Sequence, residues 1–207
     1  MAFHHSPNIV KEGLVLCMDA ADKNSYPGSG TTWSDLSPTN DNDGTLTNGP
    51  TFSTAGGGTI VFDGNNDHVR LGDSIGALGS TSATFSAWIY RTNSSGYDYF
   101  FDAREASGKG YCQGNSGDNV VNASEGTIYV DGVATNALVV GGWHHLTITG
   151  MTIETTESFI IGSYHSGTDF LHLGNIATVH VYNRVLSVKE LQHNFNATRT
   201  RFGVGSK

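Results

Sequence analysis

Apolar residues along this chain come in short runs, each closed off by Gly, Asn, Asp or Ser. The runs are "GLVLCMD" (Gly13 to Asp19), "GTIVFD" (Gly58 to Asp63), "HVRLG" (His68 to Gly72), "ATFSAWIYR" (Ala83 to Arg91), "YDYFFDA" (Tyr97 to Ala103), "GTIYVDG" (Gly126 to Gly132), "WHHLTITG" (Trp143 to Gly150), "SFIIGS" (Ser158 to Ser163) and "IATVHVYN" (Ile176 to Asn183). In "ATFSAWIYR", Phe85, Ala87 and Ile89 alternate with Thr84, Ser86 and Trp88, the period-two pattern of a strand with two distinct faces. Short strands punctuated by turn residues predict an all-β sandwich or barrel. One helix is expected, near residues 188–195. In "LSVKELQHNF", Ser187 can cap, Glu190 follows three residues on, and Leu191 and Phe195 stand four apart. Phe62, Trp88, Ile128, Val130, Leu146, Ile160, Val179 and Val181 are the expected core.

Two stretches lack a period. Residues 1–12 read as an N-terminal arm. Ala20 to Pro50 is too polar for core, yet holds Tyr26, Trp33 and Leu36, so an ordered surface excursion anchored by those three is expected. No linker and no internal repeat is visible.

Composition narrows the function classes. A chain of 207 residues suits one domain, and 27 glycines match many tight turns. A net charge of −8 argues against nucleic acid or an anionic membrane as partner, since both call for a basic surface. The start of the chain lacks the basic-then-apolar pattern of a signal peptide, and no run approaches the ~18 apolar residues of a membrane span. Cys17 and Cys112 are too few for a disulfide scaffold; they either pair or sit as buried thiols.

The stretch "DGNND" (Asp63 to Asp67) raises the sharpest chemical question. Gly64 supplies a permissive backbone, and Asn65, Asn66 and Asp67 favour Asx turns, so a hairpin connection explains it, with Ile60 and Phe62 facing one way and Val61 and Asp63 the other. The rival is calcium, which takes six to eight oxygens, several of them carboxylate; Asp63 and Asp67 supply two carboxylates.

Enzyme chemistry finds little support. Glycoside hydrolysis needs two carboxylates about 5 Å or more apart across one bond, and on a strand they share a face only at even spacing. In "IETTE", Glu154 and Glu157 are three apart. "GSGTT" (Gly28 to Thr32) lacks the lysine of a phosphate loop. Nine histidines invite a zinc reading, but His144 and His145 are adjacent on a strand and their rings diverge; one is expected buried and hydrogen-bonded, the other exposed. No enzyme and no cofactor is expected.

Taken in order, "GLVLCMDAAD", "WSDLSPTNDNDGTLTNGPTF", "IVFDGNNDHVRLG", "TFSAWIYR", "IYVDG", "WHHLTITG", "FIIGS" and "GNIATVHVYNRVLSVKELQHNF" resemble the laminin-G-like branch of the concanavalin-A-like lectin/glucanase superfamily over residues 13–196. The resemblance implies a two-sheet antiparallel jelly roll, an arm over 1–12 and a tail over 197–207. "GLVLCMDAADKNSYPGSGTTWSDLS" together with "NFNATRTRFGV" looks most like the version in tailed-phage virion proteins. That implies a non-enzymatic structural virion component, made in the host cytoplasm, contacting other virion proteins as a homo-oligomer. The alternative is a lectin-like module recognising host glycans.

Lectin-like members bind glycans at the sandwich rim. By that resemblance Tyr97, Asp98, Tyr99, Tyr111, Tyr164 and Phe170, with Asn93, are the candidate ligand contacts. Calcium positions of the family fall by resemblance near "DAREASGKG" and "SYHSGTDF", which makes Asp102, Glu105 and Asp169 the candidate metal ligands. Phe3 and Ile9 at one end, and Arg199, Arg201 and Phe202 at the other, combine apolar anchors with cations and are the candidate assembly contacts.

Overall fold

The computed structural model describes residues 9–38, 42–72, 82–104, 108–153, 159–165 and 167–205. Phe3, His4, His5, Glu105, Glu154 and Glu157 lie outside the described residues. In chain order the strands are β1 (Leu14–Asp19), β2 (Thr32–Trp33), β3 (Gly44–Thr47), β4 (Thr51–Ser53), β5 (Thr59–Asp63), β6 (His68–Leu71), β7 (Ala83–Arg91), β8 (Asp98–Asp102), β9 (Tyr111–Gly114), β10 (Val121–Ala123), β11 (Thr127–Val130), β12 (Val133–Ala134), β13 (Trp143–Met151), β14 (Ile160–Ile161) and β15 (Leu173–Tyr182). One helix follows, α1 (Val188–Thr198), and a 3-10 turn over Arg199–Phe202.

The strands make two antiparallel sheets packed as a jelly-roll sandwich. One sheet runs β12-β11-β13-β7-β15-β5-β4, with β1 also on β15; the other runs β10-β9-β8-β14-β6-β3-β2. β15 is long enough to serve β5 with its first half and β1 with its second, the register shifting between Ile176 and Thr178. Gly174 is required in β15, because a Cβ there would stand 1.9 Å from the Tyr90 carbonyl oxygen.

Alternation explains the layers. Phe85, Ala87 and Ile89 of β7 point into the inter-sheet core with Ile60, Phe62, Leu146, Val179 and Val181. The opposite face of β7 is equally buried, because α1 and the 3-10 turn cover it: Trp88 packs with Ala177, Phe195 and Phe202. The Ser187 hydroxyl accepts from the Glu190 N–H and the Glu190 carboxylate accepts from the Ser187 N–H, a complete capping box. Of the expected core, Ile128 is only partly buried, packing at the margin; the other seven are buried.

Two expectations change. β5 and β6 lie in different sheets, so "DGNND" is a crossover between layers at the rim, where a hairpin was expected. Its turn chemistry holds: Asp63 Oδ1 accepts from the N–H of Asn65 at 2.8 Å, and Asp67 Oδ2 accepts from the N–H of Asp63. Within the 20–50 excursion Tyr26 and Trp33 are buried anchors, but Leu36 is exposed. The third anchor is Asp35, fully buried, whose carboxylate accepts from the N–H groups of Cys17 and Ser37, the Ser37 hydroxyl and the Asn42 amide.

The C-terminal residues assigned to contacts with neighbours are used by the domain itself. Phe202 is 8% exposed, stacked on Trp88 with centroids 4.1 Å apart. Arg201 grips Asp19 at 2.7 and 2.9 Å and donates to the carbonyls of Gly56 and Gly58. Arg199 bonds Asn196 and the Val204 carbonyl. Ile9 packs beside Leu14, Tyr182 and Leu191. Cys17 and Cys112 are free thiols; burial pushes Cys17 up to about 12 and Cys112 upward as well. Among the described residues no helix is long and apolar enough to cross a membrane.

Candidate functional site

Three chain segments converge on the rim through Leu173. It pairs across strands with Asp63, and its carbonyl accepts from the Thr92 N–H. Between the crossover, the 92–97 loop and residues 170–173 lies a cleft of about 610 Å³, lined among others by Asp63, Asn65, Asn93, Ser95, Tyr97 and Phe170.

A buried cation holds the 92–97 loop. Arg91 ends β7 with no exposure. Its guanidinium donates to Asp98 at 2.8 Å and to the carbonyls of Gly96, Asn115 and Asp118. The other Asp98 oxygen lies 2.9 Å from His172 Nδ1. Asp98, expected as a ligand contact, therefore has both oxygens engaged and is 6% exposed; its contribution is to fix the loop that carries Asn93 and Tyr97. Asn93 Oδ1 in turn accepts from the N–H and hydroxyl of Ser95.

The five candidate rings do gather, in two groups. Tyr97 and Phe170 are 47% and 48% exposed and stand edge to face at 6.1 Å, forming a ledge on the cleft. Tyr99, Tyr111 and Tyr164 lie behind it, with Tyr99 5.5 Å from each of the other two. They enclose Arg104, whose guanidinium carbon is 5.2, 4.2 and 4.5 Å from the three ring centroids. Arg104 clamps the buried Asp102 with both carboxylate oxygens near 3.0 Å from its Nε. Sequence reasoning missed Arg104 altogether. Phe170 joins the groups, 5.8 Å from Tyr99 and 5.9 Å from Tyr164.

Phe170 adopts φ 48°, a left-handed backbone that is uncommon for a bulky residue. The surroundings enforce it. Its carbonyl accepts from the Tyr99 N–H, while the Asp169 carbonyl accepts from the Tyr164 N–H and the Ser163 hydroxyl.

The electrostatics of the cleft are set by Asp63. The N–H of Asn65 holds its carboxyl below the usual carboxylate range, and the side chain is exposed. Of the candidate metal ligands, Asp102 is committed to Arg104, and Asp169 is exposed beside Phe170. Among the described residues no cluster of three or more metal-ligating side chains occurs. The histidine pair diverges, and His145 is buried as expected, 2.9 Å from the Ser86 hydroxyl; His144 was expected exposed but is partly buried, held by Asp131 and the Val139 carbonyl.

A family model described as the concanavalin A-like lectin/glucanases superfamily matches residues 63–152. No curated protein matches the chain. Among solved structures, Trypanosoma rangeli sialidase in complex with sialic acid superposes with a TM-score of 0.62 at 13% identity, over 91% of this chain and 33% of that one. The receptor-binding domain of botulinum neurotoxin C/D mosaic serotype gives 0.62 at 11% identity, over 90% and 52%. The binding domain of botulinum neurotoxin serotype D gives 0.62 at 12%, again over 90% and 52%. The chain thus spans a third to about half the length of these proteins. At such identities the likeness is one of fold, and with the family match it supports the resemblance to the concanavalin A-like superfamily.

Proposed function

We propose that this chain is a non-catalytic glycan-binding module whose rim cleft stacks a sugar ring on Tyr97 and Phe170. The observation that carries the reading is Phe170: a large apolar ring, half exposed, held in a costly backbone conformation by its neighbours. Local strain that persists because the surroundings enforce it concentrates at ligand sites. An aromatic ledge backed by packed tyrosines meets the apolar face of a pyranose, and Asn65, Asn93 and Asp63 supply amide and carboxylate partners for hydroxyls. The fold shared with a sialidase and with neurotoxin receptor-binding domains is in keeping with such use. Hydrolysis would need a pair of available carboxylates, whereas of the two in the cleft lining among the described residues Asp98 is tied to Arg91 and His172. Binding needs no calcium on this reading, so a chelator should leave affinity and melting temperature unchanged.

The test is a glycan array followed by calorimetry on any hit. Tyr97→Ala and Phe170→Ala should each weaken binding at least about tenfold, as loss of an aromatic anchor does. Binding that ignores both substitutions, or no binding to any glycan, overturns the reading.

A second reading, from the phage-type resemblance, is a structural component of a tailed-phage virion. Val185 and Val188, half-exposed at the head of α1, favour it as an apolar contact for a neighbouring copy or another virion protein. Deleting residues 199–207 would strip Phe202 from Trp88 and so confuse anchoring with folding. Mass spectrometry of purified particles, with Val185→Asp and Val188→Asp as occupancy variants, is the cleaner measurement; absence of the full-length chain from particles would remove this reading.

A further inference from the structure

We infer that the rim cleft selects neutral or amino sugars and discriminates against acidic ones such as sialylated or sulfated glycans. This rests on the cleft being a glycan site. Among the described residues, those that line it include Asp63 and no lysine, arginine or histidine. Arg91, which bonds Asp98 and the Gly96 carbonyl of the cleft lining from beneath, is fully buried and already matched by Asp98 and three carbonyl oxygens. Arg104 is held behind the ledge by three tyrosines and Asp102. A sugar carboxylate or sulfate entering here would thus find an anion and amide groups, with no guanidinium fork to receive it.

The Asp63 carboxylate cannot readily give way. Its Oδ1 accepts from two backbone N–H groups and its Oδ2 from the Asn65 side chain, so the crossover turn itself keeps it oriented and ionised. The chain as a whole is acidic, with a net charge of −8. Both the local and the long-range field therefore oppose an anionic ligand, and both favour the ammonium of a deacetylated amino sugar.

The experiment compares N-acetyllactosamine, its 3′-sialylated and 6-sulfated forms, and chitosan oligomers by calorimetry at about 0.15 M salt. The neutral disaccharide or the amino sugar should bind at least about fivefold tighter than the acidic forms, the scale of one like charge nearby in a high-dielectric cleft. Asp63→Asn, which retains an Asx-turn acceptor, should narrow that gap. Ser116→Lys, at an exposed position on the cleft wall, should narrow it independently should Asp63→Asn fail to fold. If the sialylated or sulfated glycan binds best, and Tyr97→Ala abolishes that binding, the inference falls while the glycan site stands. If no probe binds, both fall together.

Discussion

Phe170 shows what one residue can report. A left-handed backbone costs about 1–2 kcal/mol for a residue with a Cβ, and Asn tolerates it better than Phe. Phe170→Asn should therefore leave the melting temperature within a few degrees of the parent, lost ring contacts offsetting relieved strain, while glycan binding falls to background. A melt that collapses would assign the ring to folding instead. Tyr97 and Phe170 were legible as candidate ligand contacts by resemblance, Tyr97 at the head of the strand-like run "YDYFFDA" and Phe170 at the end of "SYHSGTDF". The left-handed turn was not, because "GTDFLHLG" looks like the entry to a strand. Nor was the role of Asp98 visible, since its partner His172 is 74 positions away, or that of Arg104, since a charged loop residue looks solvated until Tyr99 of β8, Tyr111 of β9 and Tyr164 of the loop after β14 close around it.

At the scale of elements, α1 was legible almost whole. Its capping box and apolar spacing are local signals, and the observed helix extends the expected one by a turn. Glu190, hydrogen-bonded by Arg184 and by the N–H of Ser187, is brought down to about 2. Ser187→Ala should cost about 1 kcal/mol in urea unfolding. What α1 covers was not legible: nothing near "RTRFGV" says that Phe202 meets Trp88, so a basic stretch flanking an apolar residue looked like a contact for a neighbouring molecule. Trp88→Ala should cost roughly 3–5 kcal/mol, removing the stack on Phe202 and the 2.7 Å hydrogen bond from its indole N–H to Thr198. The crossover at "DGNND" teaches the same lesson. Turn residues specify a bend, while which sheet the chain enters next depends on partners far along it.

Over the whole molecule, buried imidazoles set the acid limit: burial lowers His68, and lowers His145 and His180 furthest. Burial brings His145 down to about 3 and His180 down to about 4; each also feels other charges, His180 and Asp131 for the former, Asp19 and Arg201 for the latter. Both are therefore neutral in the fold at neutral pH, whereas in the unfolded chain they take up protons near pH ~6.5. Their contribution is complete above about pH 6.5 and is lost as pH falls through the window down to about 4 and then 3. Chemical denaturation should find the domain on the order of 3–5 kcal/mol less stable at pH 4.5 than at pH 7.5. His145→Gln with His180→Gln should flatten that slope; an unchanged slope would place the acid sensitivity elsewhere. The sandwich itself was readable from alternation and turn spacing, because each strand declares its two faces locally. The buried histidines were less so, since His180 is covered only once the chain has returned over it.

The pairing of β1 with β15 joins Leu14 to Tyr182 and Asp19 to Thr178, and Arg201 closes it on Asp19 across 182 positions. On a ribosome adding ~5–20 residues per second, the edge of β1 would wait on the order of ten to thirty seconds for its partner. Through that interval "LVLCMD" is an apolar strand with an open edge, the kind of segment that recruits chaperones or joins the wrong neighbour. The contact that seals β1 into the finished domain is thus also one that leaves the nascent strand long unprotected.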